Sequence, residues 1–404
     1  MTPRLETWRR NQYVMVATVF VVFTGFAFVL PFLPLYVREL GVESPDDAAL
    51  WAGVLIGISP LLAGLLAPFW GRLGDRFGQK RMVIRALAAY VVLLCLSAAV
   101  TNVGQLLALR IGIGLFGGIG PLGLSMATAL APREEMGRAV GLVQAAQILS
   151  AAVGPLAGGV LADVVGIPRT FVLAAVMCGV ALVLVAVSYR ETGGATAGHA
   201  PTGSLAGVLR LPQVGSLLVV LFLVNFIGRS FTPILPLHLM SLGVPTGRVA
   251  SATGILIALY SVAAALSAAA LGRASRTRSP RGLLAGALVG GAATVLPMAL
   301  VQSFAGFVCL AVLLGLASGG CLTLCYTIGG LVVPEGQRAT SFGFFSGAAL
   351  FGGAISPSVA GLLARFELRG IYYVDAALFL ILAASLARSA PPPAAAVADR
   401  EGLG

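Results

Sequence analysis

Twelve long apolar runs constrain the fold of this chain more strongly than any other feature of its sequence. Most runs hold about 20–29 residues, and a helix of about 20 apolar residues crosses the hydrocarbon core of a bilayer. A membrane barrel would instead show short strands of alternating polarity. Charged residues make up only 10% of the chain, against about 25% in a soluble domain. The sequence therefore predicts an all-α membrane protein with twelve transmembrane helices at 13–37, 51–70, 82–101, 104–130, 138–162, 168–189, 214–240, 249–271, 282–301, 304–332, 339–364 and 371–388.

Basic residues are distributed unevenly between the segments that join these runs. With the N-terminus inside the cell, 19 of the 26 Lys and Arg residues fall on the cytoplasmic side and five on the opposite side. Cytoplasmic loops of membrane proteins carry an excess of Lys and Arg, so this asymmetry predicts that both termini are cytoplasmic. The formal charge of +11 then needs no nucleic acid partner, because the basic segments face the anionic inner leaflet.

The second half of the chain repeats the first at an offset of about 202 residues. Pro31–Val42 and Pro233–Val244 are identical at seven of twelve positions, and Gly71 meets Gly272 at an offset of 201. Six helices per repeat return the chain to the same side of the membrane, so the halves are parallel copies. We therefore expect two parallel six-helix bundles, 1–189 and 213–388, joined by a flexible cytoplasmic linker at 190–212 and followed by a disordered tail at 389–404.

A basic segment, Gly-Arg-Leu-Gly-Asp-Arg-Phe-Gly-Gln-Lys-Arg at 71–81, joins the second and third runs. It resembles the helix 2–3 loop motif of the major facilitator superfamily of membrane transporters. The resemblance implies a conformational switch, in which Asp75 faces the N-terminus of the eleventh helix, where exposed N–H groups favour a negative charge. The alternative is a positive-inside loop with no mechanical role. The predicted switch residues are Gly71, Asp75, Arg76, Gly78, Lys80 and Arg81.

The fifth run contains the string Gly-Pro-x-x-Gly-Gly, formed by Gly154, Pro155, Gly158 and Gly159. Small residues at this spacing let helices pack closely, and a proline removes a backbone donor and bends the helix. Ordinary membrane packing would explain isolated glycines. The complete string resembles the motif that marks the antiporter branch of the superfamily, particularly drug:proton exporters, and predicts a hinge.

Three further stretches, Leu30–Val42, Trp51–Gly53 and Ala67–Gly71, are similar to the MdtG-like group of twelve-helix multidrug exporters. This resemblance implies a multi-pass exporter of the bacterial inner (cytoplasmic) membrane, with the proton as coupling ion and no other cofactor. Its two bundles would rock about a midplane cavity. The expected partners are the lipid bilayer and a small-molecule substrate, and the expected oligomeric state is a monomer.

Two arginines fall inside predicted spans, where a charge is expensive and marks a functional site by default. Arg110 lies in a string similar to the superfamily's arginine motif, which implies a role in substrate or proton coupling; a snorkelling arginine is the alternative. Arg229 has Ala27 as its repeat counterpart, so it either faces the central cavity or pairs with a group that the sequence does not identify. The other candidates for substrate binding, each equally compatible with packing, are Tyr36, Gln144, Gln147, Asn225, Phe226, Tyr260 and Tyr326.

None of the fifteen carboxylates sits at the centre of the first or fourth run. Asp375 is the only one clearly within a run, and it lies near an end. His238 is interpreted as structural and His199 as solvated. This pattern weakens a preference for cationic drugs and leaves no obvious protonation site, so neutral, zwitterionic or anionic lipophilic substrates fit at least as well.

Enzymatic and metal-dependent functions find no support in the sequence. It contains no catalytic constellation, and Cys321 and Cys325, one helical turn apart, have no His or carboxylate nearby to complete a metal site. The prediction is therefore a secondary active transporter that exports lipophilic small molecules or drugs by proton antiport with alternating access. The alternative is a selective carrier of an organic anion or sugar.

Overall fold

A computed structural model describes residues 3–117, 126, 136–190, 214–333 and 338–388. Regular structure within these ranges is helical. The predicted linker after residue 190 and the predicted tail after residue 388 lie outside them.

The N-terminal half contains helices α1 to α6. Helix α1 consists of two pieces, Pro3–Ala27 and Leu33–Glu39, with a 3-10 turn at Leu30–Phe32 between them. The other five are α2 at Pro45–Phe77, α3 at Gln79–Ser97, α4 at Val103–Leu115, α5 at Met136–Val165 and α6 at Ile167–Ser188.

The C-terminal half contains helices α7 to α12. They are α7 in two pieces, Val214–Ser230 and Leu235–Ser241, α8 at Val249–Ala274, α9 at Pro280–Leu300, α10 in two pieces, Phe304–Ser318 and Cys321–Val332, α11 at Arg338–Ala364 and α12 at Gly370–Arg388.

The described helices account for most of the predicted spans. Within the described ranges, nine segments are long and apolar enough to cross a membrane, or ten when the two pieces of α7 count as one span. Two helices do not meet this criterion of length and hydropathy. The first is α3, whose initial residues include the charged Lys80 and Arg81, and the second is α4, whose described part is only 13 residues long. The all-α membrane fold is confirmed, and the count of twelve spans stays a prediction for α3 and α4.

Prolines explain why α1 and α7 break at equivalent places. Pro34 and Pro236 stand in the first turn of the shorter piece of each helix, where the missing N–H of proline costs nothing. The two pieces of α7 are bent by 44° relative to each other. The repeat at Pro31–Val42 and Pro233–Val244 thus encodes a break in one helix of each half.

The junction between α2 and α3 is shorter than the sequence suggests. The predicted basic turn spans 71–81, but α2 continues to Phe77 and α3 begins at Gln79. Gly78 alone forms the turn, with φ of 95°, and its N–H donates to the carbonyl of Gly74 at 2.9 Å. Glycine adopts this left-handed conformation without steric cost, so a single residue can reverse the chain.

We call the outer face the membrane side that carries the connections α1–α2, α5–α6, α7–α8 and α11–α12, following the predicted orientation. Short connections are possible because several helices start directly at a capping residue. The side-chain oxygens of Ser44 and Asn102 accept from the N–H groups of Asp47 and Gln105.

Two helix pairs cross between the halves, α2 with α11 and α5 with α8. Other extensive contacts, such as α1 with α5 and α7 with α11, stay within one half. The described helices therefore form two bundles that meet mainly along these two pairs.

Candidate functional site

Glycines bring the two bundles into backbone contact near the outer face. A Cβ atom on Gly254 of α8 would collide with the carbonyl oxygen of Pro155, and a Cβ on Gly53 of α2 would collide with that of Pro357. Pro155 and Pro357 are 202 residues apart, and Gly53 and Gly254 are 201 apart. The repeat found in the sequence is thus also a spatial repeat, because equivalent residues make equivalent contacts across the interface.

The string Gly154-Pro155-x-x-Gly158-Gly159 serves two different contacts. A Cβ on Gly158 would lie 2.5 Å from Cα of Phe28, in the break of α1 within the same bundle. A Cβ on Gly159 would instead lie 2.9 Å from the carbonyl carbon of Ala250 on α8. One glycine therefore lets α5 approach its own bundle, and the next lets it approach the partner bundle. The hinge function of this string stays a prediction.

Charged groups add to the contacts at the outer face. Oδ2 of Asp163, in the last turn of α5, accepts a 2.8 Å hydrogen bond from the backbone N–H of Ser251 in the first turn of α8. At the equivalent position of the other half, Arg365 forms a 3.2 Å ion pair with Asp47 in the first turn of α2. Each pair joins one bundle to the other. The two equivalent side chains, Asp163 at the end of α5 and Arg365 after α11, nevertheless have opposite charges.

The predicted switch segment has a structural component at its basic end. Nζ of Lys80 donates to the carbonyl oxygens of Ala186 and Tyr189, at 2.8 and 2.7 Å, and so caps the C-terminus of α6. Arg76 and Arg81 are exposed. The side chain of Asp75 lies outside the described part of the structure, so its predicted contact with α11 remains a prediction.

Arg229 lies on the side of the C-terminal bundle that faces the other bundle. Its side chain is exposed, and a Cβ on Gly353 of α11 would lie 3.5 Å from its Cγ. Its guanidinium is within electrostatic range of Tyr260 on α8. Since α8 and α11 make the main contacts of this bundle with the N-terminal bundle, the position of Arg229 beside both helices favours an orientation toward the space between the bundles.

Arg110 has a different environment, in the interior of the N-terminal bundle. It is 1% exposed, and its guanidinium carbon lies 5.8 Å from the ring centroid of Phe171 on α6. Tyr36 packs against the same ring, at 5.2 Å between centroids, and donates a 2.9 Å hydrogen bond to the carbonyl of Ser97. Both candidates are enclosed by their own bundle in this state of the protein.

The remaining candidates do not converge on one place. Asn225 donates to the carbonyl of Leu221 within α7, and Phe226 is buried beside Phe222. Tyr260 is half-buried, with its ring edge toward Phe231. Partly buried side chains are also found at Gln147 and Tyr326, whereas the side chain of Gln144 lies outside the description.

A polar cluster that the sequence did not reveal lies inside the C-terminal bundle. Asp375 on α12 is 1% exposed and is hydrogen-bonded to the hydroxyl of Ser230 at the end of the first piece of α7. His238, fully buried, and Tyr372 lie close by, with ring centroids 5.5 Å apart. The sequence did show that Asp375 is a carboxylate inside a predicted span. Its position near the end of that span gave no indication that it contacts α7.

Possible metal ligands do not cluster in the described part of the chain. No group of three or more His, Cys, Asp or Glu side chains converges there. The buried thiols of Cys321 and Cys325 have the surroundings of apolar packing residues.

Comparisons with known proteins agree with this architecture. The sequence model described as Major Facilitator Superfamily matches residues 15–309 and 246–403. Relatives named "Multidrug resistance protein MdtG" are 31% identical over 384 residues in Dickeya zeae, covering 93% of each chain, and 32% identical over 387 residues in Escherichia fergusonii, covering 92% of each chain. A solved bacterial homolog of the human lysosomal transporter Spinster, described as inward-facing and occupied, superimposes with a TM-score of 0.74 at 18% identity, over 96% of this chain and 97% of that chain.

Proposed function

Because the chain belongs to the major facilitator superfamily and is therefore a transporter rather than an enzyme, we propose that it exports lipophilic small molecules or drugs by proton antiport. The similarity to relatives named for multidrug resistance, at about 31% identity over 93% of the chain, supports export of drug-like compounds. A substrate of this kind reaches such a protein from within the bilayer or from the cytoplasm. The proposed location is the bacterial inner membrane, with both termini in the cytoplasm and the protein acting as a monomer.

The observation that carries the mechanism is the position of the contacts between the bundles. Glycine contacts, the Asp163–Ser251 hydrogen bond and the Asp47–Arg365 ion pair all lie toward the outer face. Combined with the predicted orientation, this arrangement corresponds to a state that is closed outside and accepts substrate from the cytoplasm. Transport then requires these outer contacts to separate while the bundles close at the opposite face.

Arg229 supports a choice of substrate class. It is the exposed cation of α7 that is directed between the bundles, with the aromatic ring of Tyr260 nearby. An aromatic surface beside a cation suits lipophilic compounds that are neutral, zwitterionic or anionic. A strongly cationic dye would be repelled by the same arginine.

The first experiment compares accumulation of lipophilic fluorescent dyes, one anionic and one neutral, in cells that express the chain or its Asp75→Asn variant, with and without a protonophore. Lower accumulation in wild-type cells that the protonophore abolishes is expected for proton-driven export. If the protonophore left the accumulation of every dye in wild-type cells unchanged, proton-driven export would be contradicted, whereas equal accumulation in wild type and Asp75→Asn would count against the switch role of Asp75.

The same arginine also favours a second candidate, a selective carrier of an organic anion or sugar. This alternative predicts saturable transport of one compound class. That transport should be lost in Arg229→Ala and should be unaffected by the dyes.

A further inference from the structure

An isolated carboxyl group is enclosed in the C-terminal bundle. Asp375 lies in the second turn of α12 and is 1% exposed. One oxygen, Oδ2, contacts the hydroxyl of Ser230, and Oδ1 has no hydrogen-bond partner among the described residues. An ionised carboxylate without a counter-charge in an apolar interior is expensive, so this environment favours the neutral acid.

The groups around Asp375 supply no ion pair within the described residues. Helix α7 contributes Arg229 and His238, helix α8 contributes Tyr260, α12 contributes Tyr372, and Arg369 directly precedes α12. A guanidinium nitrogen of Arg369 donates to the carbonyl of Ala299. Both ring nitrogens of His238 and the hydroxyl of Tyr372 have no hydrogen-bond partner among the residues that the structure describes. The adjoining helix α9 contributes Arg281, at its far end, and Arg365, which directly follows the adjoining helix α11, pairs with Asp47.

The hydroxyl of Ser230 can report the protonation state of this carboxyl. It lies 2.9 Å from the carbonyl oxygen of Ile227 and also contacts Oδ2 of Asp375, but it has only one hydrogen to donate. When Asp375 is neutral, the carboxyl donates to Ser230 and Ser230 donates to Ile227. When Asp375 is ionised, the hydrogen of Ser230 turns to the carboxylate and the bond to Ile227 is lost.

Ser230 stands where this change can affect the outer contacts. It is the last residue before the 44° bend in α7, and the second piece of α7 packs against the second piece of α1 in the other bundle. There, Nη1 of Arg38 contacts Sδ of Met240 at 3.6 Å. These two residues are 202 positions apart, so equivalent points of the two halves touch each other at the centre of the outer contact.

We propose that Asp375 is the proton-binding site of the transporter and that its neutral form holds the outer face closed. This inference rests on the proposed proton antiport. When the outer contacts separate, water reaches the carboxylate, which takes a proton from the outside. Closure buries the neutral acid, and the proton later leaves toward the space between the bundles, where Tyr260 lies within electrostatic range of both Asp375 and Arg229.

The test measures opening of the outer face directly and needs no transported compound. In a cysteine-free background reconstituted in lipid, spin labels are placed at Val164 and Phe366, which are 76% and 85% exposed at the outer ends of α5 and α11. The distance between the labels is measured from acidic to alkaline pH in wild type, Asp375→Asn, His238→Gln and the matched control Glu367→Gln, which removes an exposed carboxylate eight residues earlier.

Wild type and Glu367→Gln are expected to gain a longer distance as the pH rises, by up to about tenfold in the open-to-closed ratio per pH unit, the limit for one linked proton. Asp375→Asn, which mimics the neutral acid, should stay closed at every pH, and His238→Gln should respond like wild type. A normal response in Asp375→Asn, or its loss only in His238→Gln, would overturn the proposal. If the wild type responded to pH but exported no dye, the proposed export function would be contradicted and the assignment of Asp375 as the proton-binding site would stand.

Discussion

Oδ2 of Asp163 accepts a 2.8 Å hydrogen bond from the backbone N–H of Ser251, and this bond joins the last turn of α5 to the first turn of α8 across the two bundles. The N-terminus of a helix carries a partial positive charge, so the contact combines a hydrogen bond with an attraction between charge and helix dipole. The predicted switch residue Asp75 would make the corresponding kind of contact at the opposite face, with α11. Asp163 is thus placed to stabilise the state that is closed at the outer face.

We predict that Asp163→Asn shifts the protein toward the state that is open at the outer face. A carboxylate near a helix N-terminus contributes about 0.3–1 kcal/mol, which corresponds to roughly a two- to fivefold change in the ratio of the two states. The same pair of spin labels on α5 and α11 measures this ratio. Asp46→Asn, in an exposed position of the first turn of α2, is the control and should leave the distances unchanged.

Gly159→Ala is expected to prevent full closure at the outer face. The added Cβ would lie 2.9 Å from the carbonyl carbon of Ala250 and 3.2 Å from Cα of Ser251, and backbone atoms cannot move aside without separating α5 from α8. Dye export should fall at least tenfold while the protein remains folded. Gly286→Ala is the matched control, because no atom lies within 4 Å of the Cβ that it would add to α9. Export equal to wild type in Gly159→Ala would show that the close contact has no role in the cycle.

Lys80→Ala is expected to lower stability more than it lowers transport. Loss of the two hydrogen bonds to the end of α6 should reduce the free energy of unfolding by about 1–2 kcal/mol. The measurement is the temperature at which the purified protein loses its monodisperse peak in size-exclusion chromatography. Arg81→Ala removes an exposed charge from the next position and should unfold at the temperature of wild type. A variant as stable as wild type but unable to transport would assign Lys80 to the switch instead.

Arg229→Ala is expected to change which charges the transporter accepts. Removal of the cation should reduce export of an anionic dye about tenfold or more and leave export of a neutral dye within about twofold. Arg229→Lys, which keeps the charge, should retain most of the export of the anionic dye. Equal loss for both dyes in Arg229→Ala would indicate a structural role for the arginine.

Several features of the fold follow from local sequence. Apolar runs of membrane-spanning length specify helices because every backbone polar group in a bilayer must be satisfied within its own segment. Pro34 and Pro236 specify the breaks in α1 and α7, and the offset of about 202 residues predicts two equivalent bundles. By contrast, the predicted turn at 71–81 is too long, because Arg72 to Arg76 can continue a helix and only Gly78 needs a left-handed conformation.

The candidate site was predicted less completely. The sequence singled out Arg229 as an unusual charge, but it could not show that α8 and α11 lie beside it. Arg110 and Tyr36 have the same polar character, yet both are enclosed by their own bundle. Which way a side chain points depends on the rotation of its helix, and a helix that is apolar on every face gives little periodic signal to fix that rotation.

By itself, the sequence determined the membrane environment, the helical class, the internal repeat and the family, because each is written in hydropathy and spacing along the chain. Tertiary structure alone decided that the bundles meet at Asp163 and Ser251 and that Asp375 meets Ser230, which is 145 residues earlier in the chain. Contacts of this kind depend on how preformed helices are rotated and packed against one another, and that arrangement differs between the states of a transporter that share one sequence.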